Sequence, residues 1–369
     1  MTTEVTDIGV GTIRTGLLGG GFMARVHTAA ARSAGADLVG VATSSAAGGA
    51  LAARELGYRR AGSDASDLLD AADIDVIHVC TPNTTHAALA RAALLAGRHV
   101  ICEKPLATSV DDARALVALA AEQGLVGAVP FVYRYHPMIR EARARIAQGE
   151  IGTVLSVDAA YLQDWMLLPT DDDWRADGEA GGPSRAFADI GSHLFDLLEF
   201  VSGQRVARVS ARTRRVYDHR GDGRVVRNED IAAVMFELAS GAVGTALVSQ
   251  MAAGRKNALT LEFHGARRSV RFEQERPEEL WIGDRVSSQL LLRDPKTASA
   301  DAARIQRVPA GHPMGYQDAF DAFVADVYAT ISGEHRDGLP TFADGLRAAV
   351  LTDAVLASAA ADSWIEVPA

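Results

Sequence analysis

"LLGGGFMARVH", residues 17–27, places glycines at Gly19 and Gly21 and a small residue at Ala24. The spacing is G-x-G-x-x-[G/A]. The residues before it, "TIRTGLL" (12–18), read as a strand, and "FMARVHTAAARSAG" (22–35) reads as a helix. At such a junction the first glycine permits a tight turn and the second lets the backbone approach a pyrophosphate. The small third residue lets the helix pack closely on the sheet. Phe22 and Met23 then open a helix whose free N–H groups and positive end face the phosphates. Glycine-rich turns are common, so the weight falls on where this one lies.

It lies at the head of an alternation. "DLVGVAT" (37–43), "DVIHVCT" (75–81), "HVICEK" (99–104) and "LVGAVPF" (125–131) read as strands. Between them "AAGGALAARELG" (46–57), "DASDLLDA" (64–71), "THAALARAALLAG" (85–97) and "SVDDARALVALAAEQG" (109–124) read as helices. Strands separated by helices of this length predict crossover units and a parallel sheet covered on both faces. Past residue 130 the rhythm changes. "TVLSVDAAYLQ", "VARVSARTRRVYD", "DIAAVMFELA", "AVGTALVSQM", "ALTLEFHG" and "SVRFEQE" are strands in near succession, with helical stretches at 137–148, 189–202, 315–332 and 343–360. The stretch 293–313 reads as a surface loop. The expected architecture is an α/β Rossmann domain over 1–130, binding NAD or NADP. It is followed by an α+β domain over 131–369 with a largely antiparallel, open-faced sheet for substrate binding and oligomerisation.

Composition limits the partners. The 369-residue chain is 48% hydrophobic and carries a formal charge of -10 without a basic run, which speaks against nucleic acid or an anionic membrane. No apolar run reaches the roughly 18 residues of a membrane span, and the N-terminus lacks a signal-peptide pattern. The two cysteines, Cys80 and Cys102, sit in apolar strands without metal spacing. These features predict a cytoplasmic protein.

Cofactor choice is less determined. An acid at the end of the second strand would take the ribose hydroxyls of NAD. Thr43, Ser44 and Ser45 stand there instead, so NAD and NADP both stay open.

In a doubly wound sheet ligands bind beyond the carboxyl ends of the strands. "CTPNTTH" (80–86) and "CEKP" (102–105) are two such ends, so Thr81, Pro82, Asn83 and His86 are expected beside the cofactor. Together with "GGGFMA" (19–24), "CEKPLA" (102–107), "FVYRYHP" (131–137), "WRADGEAGG" (174–182) and "DIGSHLFDLL" (189–198), they make the chain resemble the Gfo/Idh/MocA oxidoreductases, the glucose-fructose oxidoreductase and inositol dehydrogenase group. The resemblance covers about residues 12 to 202, and "GHPMGYQDAF" (311–320) is similar to a stretch of the sugar-acting members. It implies that Lys104 is catalytic, with Glu103 holding Lys104 and the nicotinamide-side ribose. An ammonium there stabilises the alkoxide that forms as hydride leaves a hydroxyl.

Asp189 and His193 are four apart in a predicted helix whose apolar stripe is Ile190, Leu194, Leu197 and Val201. A carboxylate on one imidazole nitrogen would orient His193 as the general acid/base, and the resemblance sets the pair beside Lys104. Zinc is the rival use of Asp and His, but further ligands at suitable spacing are missing. Trp174 and Arg175 are candidates for the substrate, as are Tyr133 and Arg134; His312 and Tyr316 are weaker ones. "GPSRAFAD" (182–189) departs from the family pattern, which bears on the substrate and not on the reaction. The expected activity is NAD(P)-dependent oxidation of a secondary ring hydroxyl in a pyranose, glycoside or inositol by a homo-dimer or homo-tetramer. The alternatives are reduction of a keto-sugar, a dihydrodiol-type substrate, or a redox sensor that binds dinucleotide without turnover.

Overall fold

The alternation of the first third closes into a six-stranded, wholly parallel sheet of order β3-β2-β1-β4-β5-β6. Its elements are β1 (Arg14–Leu18), α1 (Phe22–Ser33), β2 (Asp37–Ala42), α2 (Ala46–Leu56), β3 (Arg60–Gly62), α3 (Ser66–Leu69), β4 (Val76–Val79), α4 (His86–Leu95), β5 (His99–Cys102), α5 (Val110–Gln123) and β6 (Gly127–Ala128). The structure is a computed structural model that describes residues 12–176 and 180–368. The first eleven residues of the expected 1–130 domain, and Asp177, Gly178 and Glu179 of "WRADGEAGG", lie outside the described residues.

Local chemistry sets the boundaries. Ser45 and Ser109 cap α2 and α5 by accepting from the backbone N–H of Gly48 and Asp112, and Gly57 and Gly124 end the same helices in left-handed conformation. Strand β3 has no apolar alternation and is invisible to pattern reading. "LVGAVPF" pairs over only two residues, because the Val129 N–H bonds instead to the carbonyl of Pro340.

The second half begins with α6 (Pro137–Ala147), β7 (Val154–Leu162), α7 (Ser192–Ser202) and β8 (Val206–Arg214), followed by the small hairpin β9 (His219–Arg220) and β10 (Arg224–Val225). Then come β11 (Ile231–Leu238), β12 (Val243–Ser249), β13 (Ala258–Gly265), β14 (Ser269–Glu273), β15 (Glu279–Gly283) and β16 (Ser288–Leu292). The chain finishes with α8 (Ala300–Arg304), α9 (Tyr316–Ile331), α10 (Phe342–Ala361) and β17 (Ile365–Glu366). Nine strands form one sheet, β16-β15-β14-β13-β7-β12-β11-β8-β17, antiparallel throughout except for the β7–β12 pair. The helix expected over 189–202 differs in two ways. Every residue from Ser192 to Val201 is buried rather than one stripe, and Phe187–Gly191 forms a π-helical turn before it.

The border near residue 130 separates the two sheets but not their cores. Phe320, Phe323, Val324 and Val327 of α9 pack with Leu17, Ala24 and Val26 of the first domain. Phe342 and Ala348 of α10 join Val100, Leu106 and Val129. The cleft between the sheets is thereby fixed from behind.

Candidate active site

The strand order reverses between β1 and β4, and there the glycine turn meets "CTPNTTH". Gly19 has φ +121°, and a side chain on it would stand 2.4 Å from the Cys80 carbonyl oxygen. Gly21 is the reverse case: a Cβ there meets nothing within 4 Å. No side chain caps the start of α1, so the first amides of this helix, from Phe22 through Ala24, keep unsatisfied N–H groups. Open space over Gly21 beside free amides fits the pyrophosphate of a dinucleotide.

From this turn a cleft runs between the sheets, lined by Met23, Glu103, Lys104, Asp189 and His193 among others. Lys104 follows β5, across a cis peptide to Pro105. Its Nζ donates to Asp189 Oδ1 at 2.5 Å and to the Asp189 carbonyl at 3.0 Å. Asp189 Oδ2 accepts from Gln250 Nε2 at 2.9 Å, and Arg175 Nε lies 3.6 Å from Oδ1. Burial alone would raise the Asp189 pKa. The charges of Lys104 and Arg175 outweigh it and hold the carboxyl down at about 2.

The expected Asp189–His193 pair does not form. The π turn carries Asp189 off the α-helical register, so the i, i+4 argument fails, and the carboxylate is taken by Lys104. His193 lies edge-on to Tyr133 and Phe131, with ring centroids 5.0 and 5.6 Å away. Among the described residues its buried Nδ1 has no hydrogen-bond partner, which leaves Nε2 as the nitrogen facing the cleft. Burial first, and the Lys104 charge second, lower its pKa to about 3. The ring is therefore neutral at physiological pH and does not titrate near neutrality as the sequence reading had it.

Other expected residues are placed as follows. Tyr133 and Arg175 line the cleft, as does Tyr316. Arg134 does not: it is buried in ion pairs with Asp196 and Asp344. Trp174 is not among the cleft lining and lies against the Arg175 guanidinium, 4.4 Å from ring centroid to carbon. His312 is exposed, and its carbonyl accepts from Arg293. His86 is buried behind the turns, its ring nitrogens 2.7 and 2.8 Å from the carbonyls of Pro105 and Thr81. Asn83 Nδ2 donates to Gly181, and the hydroxyls of Thr81 and Thr85 pair with each other. Pro82 only starts the 3-10 turn over Asn83–Thr85. The Thr43 hydroxyl donates to the Ser45 carbonyl, leaving Ser44 exposed at the end of β2. Glu103 touches Lys104 through its backbone N–H, at 3.1 Å, and not through the ammonium.

The opposite wall is built from residues outside the motifs expected from sequence. Tyr161, Gln163 and Asn257 line the cleft beside Tyr133. Tyr133 donates to Tyr161 (2.6 Å), Tyr161 to Asn257 Oδ1 (2.7 Å) and Asn257 Nδ2 back to Tyr133 (3.2 Å). Gln163 Nε2 also donates to Asn257 Oδ1, at 2.8 Å. Burial raises the pKa of both phenols, so both stay protonated. The two-residue spacing of Tyr161 and Gln163 at the end of a strand was the available signal, since it puts both on one face.

Comparison with known proteins agrees with this fold. Residues 13–131 match the model of the oxidoreductase family with an NAD-binding Rossmann fold, and residues 139–271 match the GFO/IDH/MocA C-terminal domain. Levoglucosan dehydrogenase of Pseudarthrobacter phenanthrenivorans is 32% identical, over 96% of this chain and 98% of its own length. Inositol 2-dehydrogenase of Rhizobium meliloti is 28% identical, over 96% and 99%. Among solved structures, levoglucosan dehydrogenase in complex with NADH and levoglucosan superposes with TM-score 0.91 at 31% identity, covering 97% of this chain and 99% of that one. An inositol dehydrogenase homolog from Azotobacter vinelandii, complexed with NADH and myo-inositol, gives 0.87 at 27% identity, over 96% and 97%. With both halves of the fold matched, and a relative of this identity aligned over nearly its full length, the chain belongs to the Gfo/Idh/MocA family of NAD-binding oxidoreductases.

Proposed function

We propose that this oxidoreductase interconverts a secondary ring alcohol of a pyranose, a glycoside or an inositol with the corresponding ketone, using NAD. The observation that carries the reading is the Lys104 ammonium, 2.5 Å from Asp189 in a cleft walled by Tyr161, Gln163 and Asn257. Two of the three N–H donors of Lys104 are held by Asp189, so the third is left for a substrate oxygen. Phenol and amide groups on the facing wall offer both donors and acceptors, which is what a ring with several hydroxyls requires. The relatives that act on levoglucosan and on inositol support that substrate class.

NAD supplies the hydride acceptor when bound. Lys104 donates to the reacting oxygen and stabilises its developing negative charge, while Asp189 aims the ammonium. His193 Nε2 accepts the hydroxyl proton. Its basicity is low, but a hydroxyl on a carbon that is losing hydride becomes a strong acid, so a neutral imidazole suffices.

The outer face of the large sheet carries Met235, Val243, Leu247, Leu290 and Leu292, all exposed. This supports a homo-dimer or homo-tetramer built on that face, to be read by light scattering on the eluting protein. The two free thiols, Cys80 and Cys102, suit a reducing cytoplasm. Among the described residues no helix is long and apolar enough to cross a membrane.

The function is tested by following absorbance at 340 nm with NAD or NADP against free sugars, glycosides, levoglucosan and inositols. Turnover of at least one ring polyol is expected, with loss in Lys104→Ala. Tight NADH binding without turnover of any of them would favour the sensor instead.

A further inference from the structure

Behind the Glu103 carboxylate runs a chain of buried polar side chains that this chemistry does not use. Glu103 Oε1 lies 3.0 Å from His27 Nε2, and His27 Nδ1 lies 3.0 Å from His78 Nδ1. His78 Nε2 is 2.9 Å from the Tyr328 hydroxyl, which is 2.9 Å from Thr15 Oγ1. Thr15, His27 and His78 have no solvent exposure, and Tyr328 and Glu103 are buried. The five residues come from β1, α1, β4, α9 and the end of β5. The chain thus enters the core of the first domain from the wall of the cleft and crosses to a helix of the second half.

Counting protons gives the chain a direction. Two Nδ1 atoms 3.0 Å apart form a hydrogen bond only if one carries a proton and the other does not. An ionised Glu103 accepts, so His27 must be protonated on Nε2. A neutral His27 then offers a bare Nδ1, to which His78 donates from Nδ1–H. A neutral His78 offers a bare Nε2, to which Tyr328 donates, and Thr15 donates to Tyr328. Every bond then points toward Glu103 and every member is satisfied. Reversing the direction requires one more proton, on Glu103 or on His27. Burial keeps His78 neutral by lowering its pKa, and for Glu103 the hydrogen bond from His27 and the Lys104 charge oppose burial and favour the anion.

We propose that His27 and His78 are positioning residues that, with Tyr328 and Thr15, form a one-way hydrogen-bonded wire fixing Glu103 as an anion on the cofactor side of the cleft. The wire engages Oε1 from the core, and the Lys104 N–H holds Oε2. The carboxylate thus has one orientation before any ligand arrives, and the ordering cost of binding falls accordingly. None of the four supporting residues lines the cleft, so this inference goes beyond the dehydrogenase reading and its first readout needs no turnover.

The test is long-range 1H–15N correlation on the full chain with 15N-labelled histidine, without cofactor, near pH 7.5. His27 should be the Nε2–H tautomer and His78 the Nδ1–H tautomer, two neutral rings of opposite kind. A His78 protonated on Nε2, or either ring protonated on both nitrogens, overturns the wire. A second arm measures NADH affinity by fluorescence titration in His78→Leu and His78→Asn. The leucine removes the donor to His27, and asparagine can restore an N–H near the position of Nδ1. A roughly tenfold weaker Kd in the leucine variant is expected, on the scale of other partners that orient a ligand at one remove, with most of it recovered by asparagine. No loss in a folded leucine variant, or equal loss in both folded variants, contradicts the proposal. If both variants unfold, the tautomers of the unaltered protein decide it.

Discussion

The two walls of the cleft are built from different material. On the side of the parallel sheet the ligand-facing surface is largely backbone: the turn at Gly19 and Gly21, and the free amides at the head of α1. On the other side it is side chains that satisfy one another, Asp189 with Gln250 and with Lys104, which reaches across from the end of β5, and Tyr133 with Tyr161 and Asn257. A backbone site is specified by residue spacing, because glycine at one position and a helix start at the next suffice to build it. A side-chain site is specified by which partner each group meets in three dimensions, and Asp189 meets Lys104 where spacing alone had assigned it to His193.

The largest expected effect lies where the side-chain wall meets Lys104. Lys104→Ala removes the proposed donor to the reacting oxygen and should lower kcat by about 10²–10⁴, while NADH still binds to the glycine turn and the free amides of α1. Loss of NADH binding to the same degree as kcat would mean that the two walls do not divide the work in this way. The same wall gives a kinetic signature in pH. His193 is neutral down to about pH 3, so kcat/KM for oxidation should show no inflection from its imidazole between pH 5.5 and 7.5.

Acid stability probes both walls together. His78 on one side, and His136 and His193 on the other, are buried, and burial lowers the pKa of each, with His136 at about 4 and His193 at about 3. The unfolded chain takes these protons first, below its ordinary histidine value of about 6.5. The stability they contribute is therefore present above pH 6.5 and drains away as pH falls below it, by about 1.4 kcal/mol per pH unit for each such ring. Asp189, depressed to about 2, contributes stability that is present above its ordinary carboxylate value of about 3.9 and is lost only as pH falls below it. Urea midpoints should fall steadily from pH 7 to pH 5; a flat profile would contradict the burial of these rings.

The glycines sharpen the contrast within the backbone wall. Gly21→Val fills open space in the free protein and should leave its stability within about 0.5 kcal/mol, as for a substitution that touches nothing. Its side chain meets the dinucleotide, so NADH should bind about 10- to 100-fold more weakly, the equivalent of about 1–3 kcal/mol of overpacking. Gly19→Ala should reverse the pattern. Its positive φ and the 2.4 Å approach to Cys80 should cost folding stability first, read as a lowered Tm without ligand.

The same division explains what the sequence made legible. The parallel sheet was readable because its strands are apolar runs between helices, and the glycine turn because its function lies in spacing. Lys104 stood out through the turn that carries it. Strand β3 was not readable, being three residues without alternation. Neither was the fate of Arg134, whose neighbours Asp196 and Asp344 are distant in sequence and meet it only through α7 and α10. The π turn at Phe187–Gly191 leaves no periodicity in the sequence, yet it decides the partner of Asp189. Tyr161, Gln163 and Asn257 belong to a wall assembled from β7 and the approach to β13, strands that pair with each other although about 100 positions separate them.

The central claim is that Asp189 works with Lys104 and not with His193, and two double-mutant cycles on kcat/KM test it most directly. Lys104→Ala and Asp189→Asn should be strongly non-additive, the double variant losing far less than the product of the single losses, because the carboxylate acts through the ammonium. Asp189→Asn and His193→Ala should lose close to the product of their separate effects. Multiplicative losses in the first cycle with strong coupling in the second would contradict the account and restore the Asp189–His193 pair.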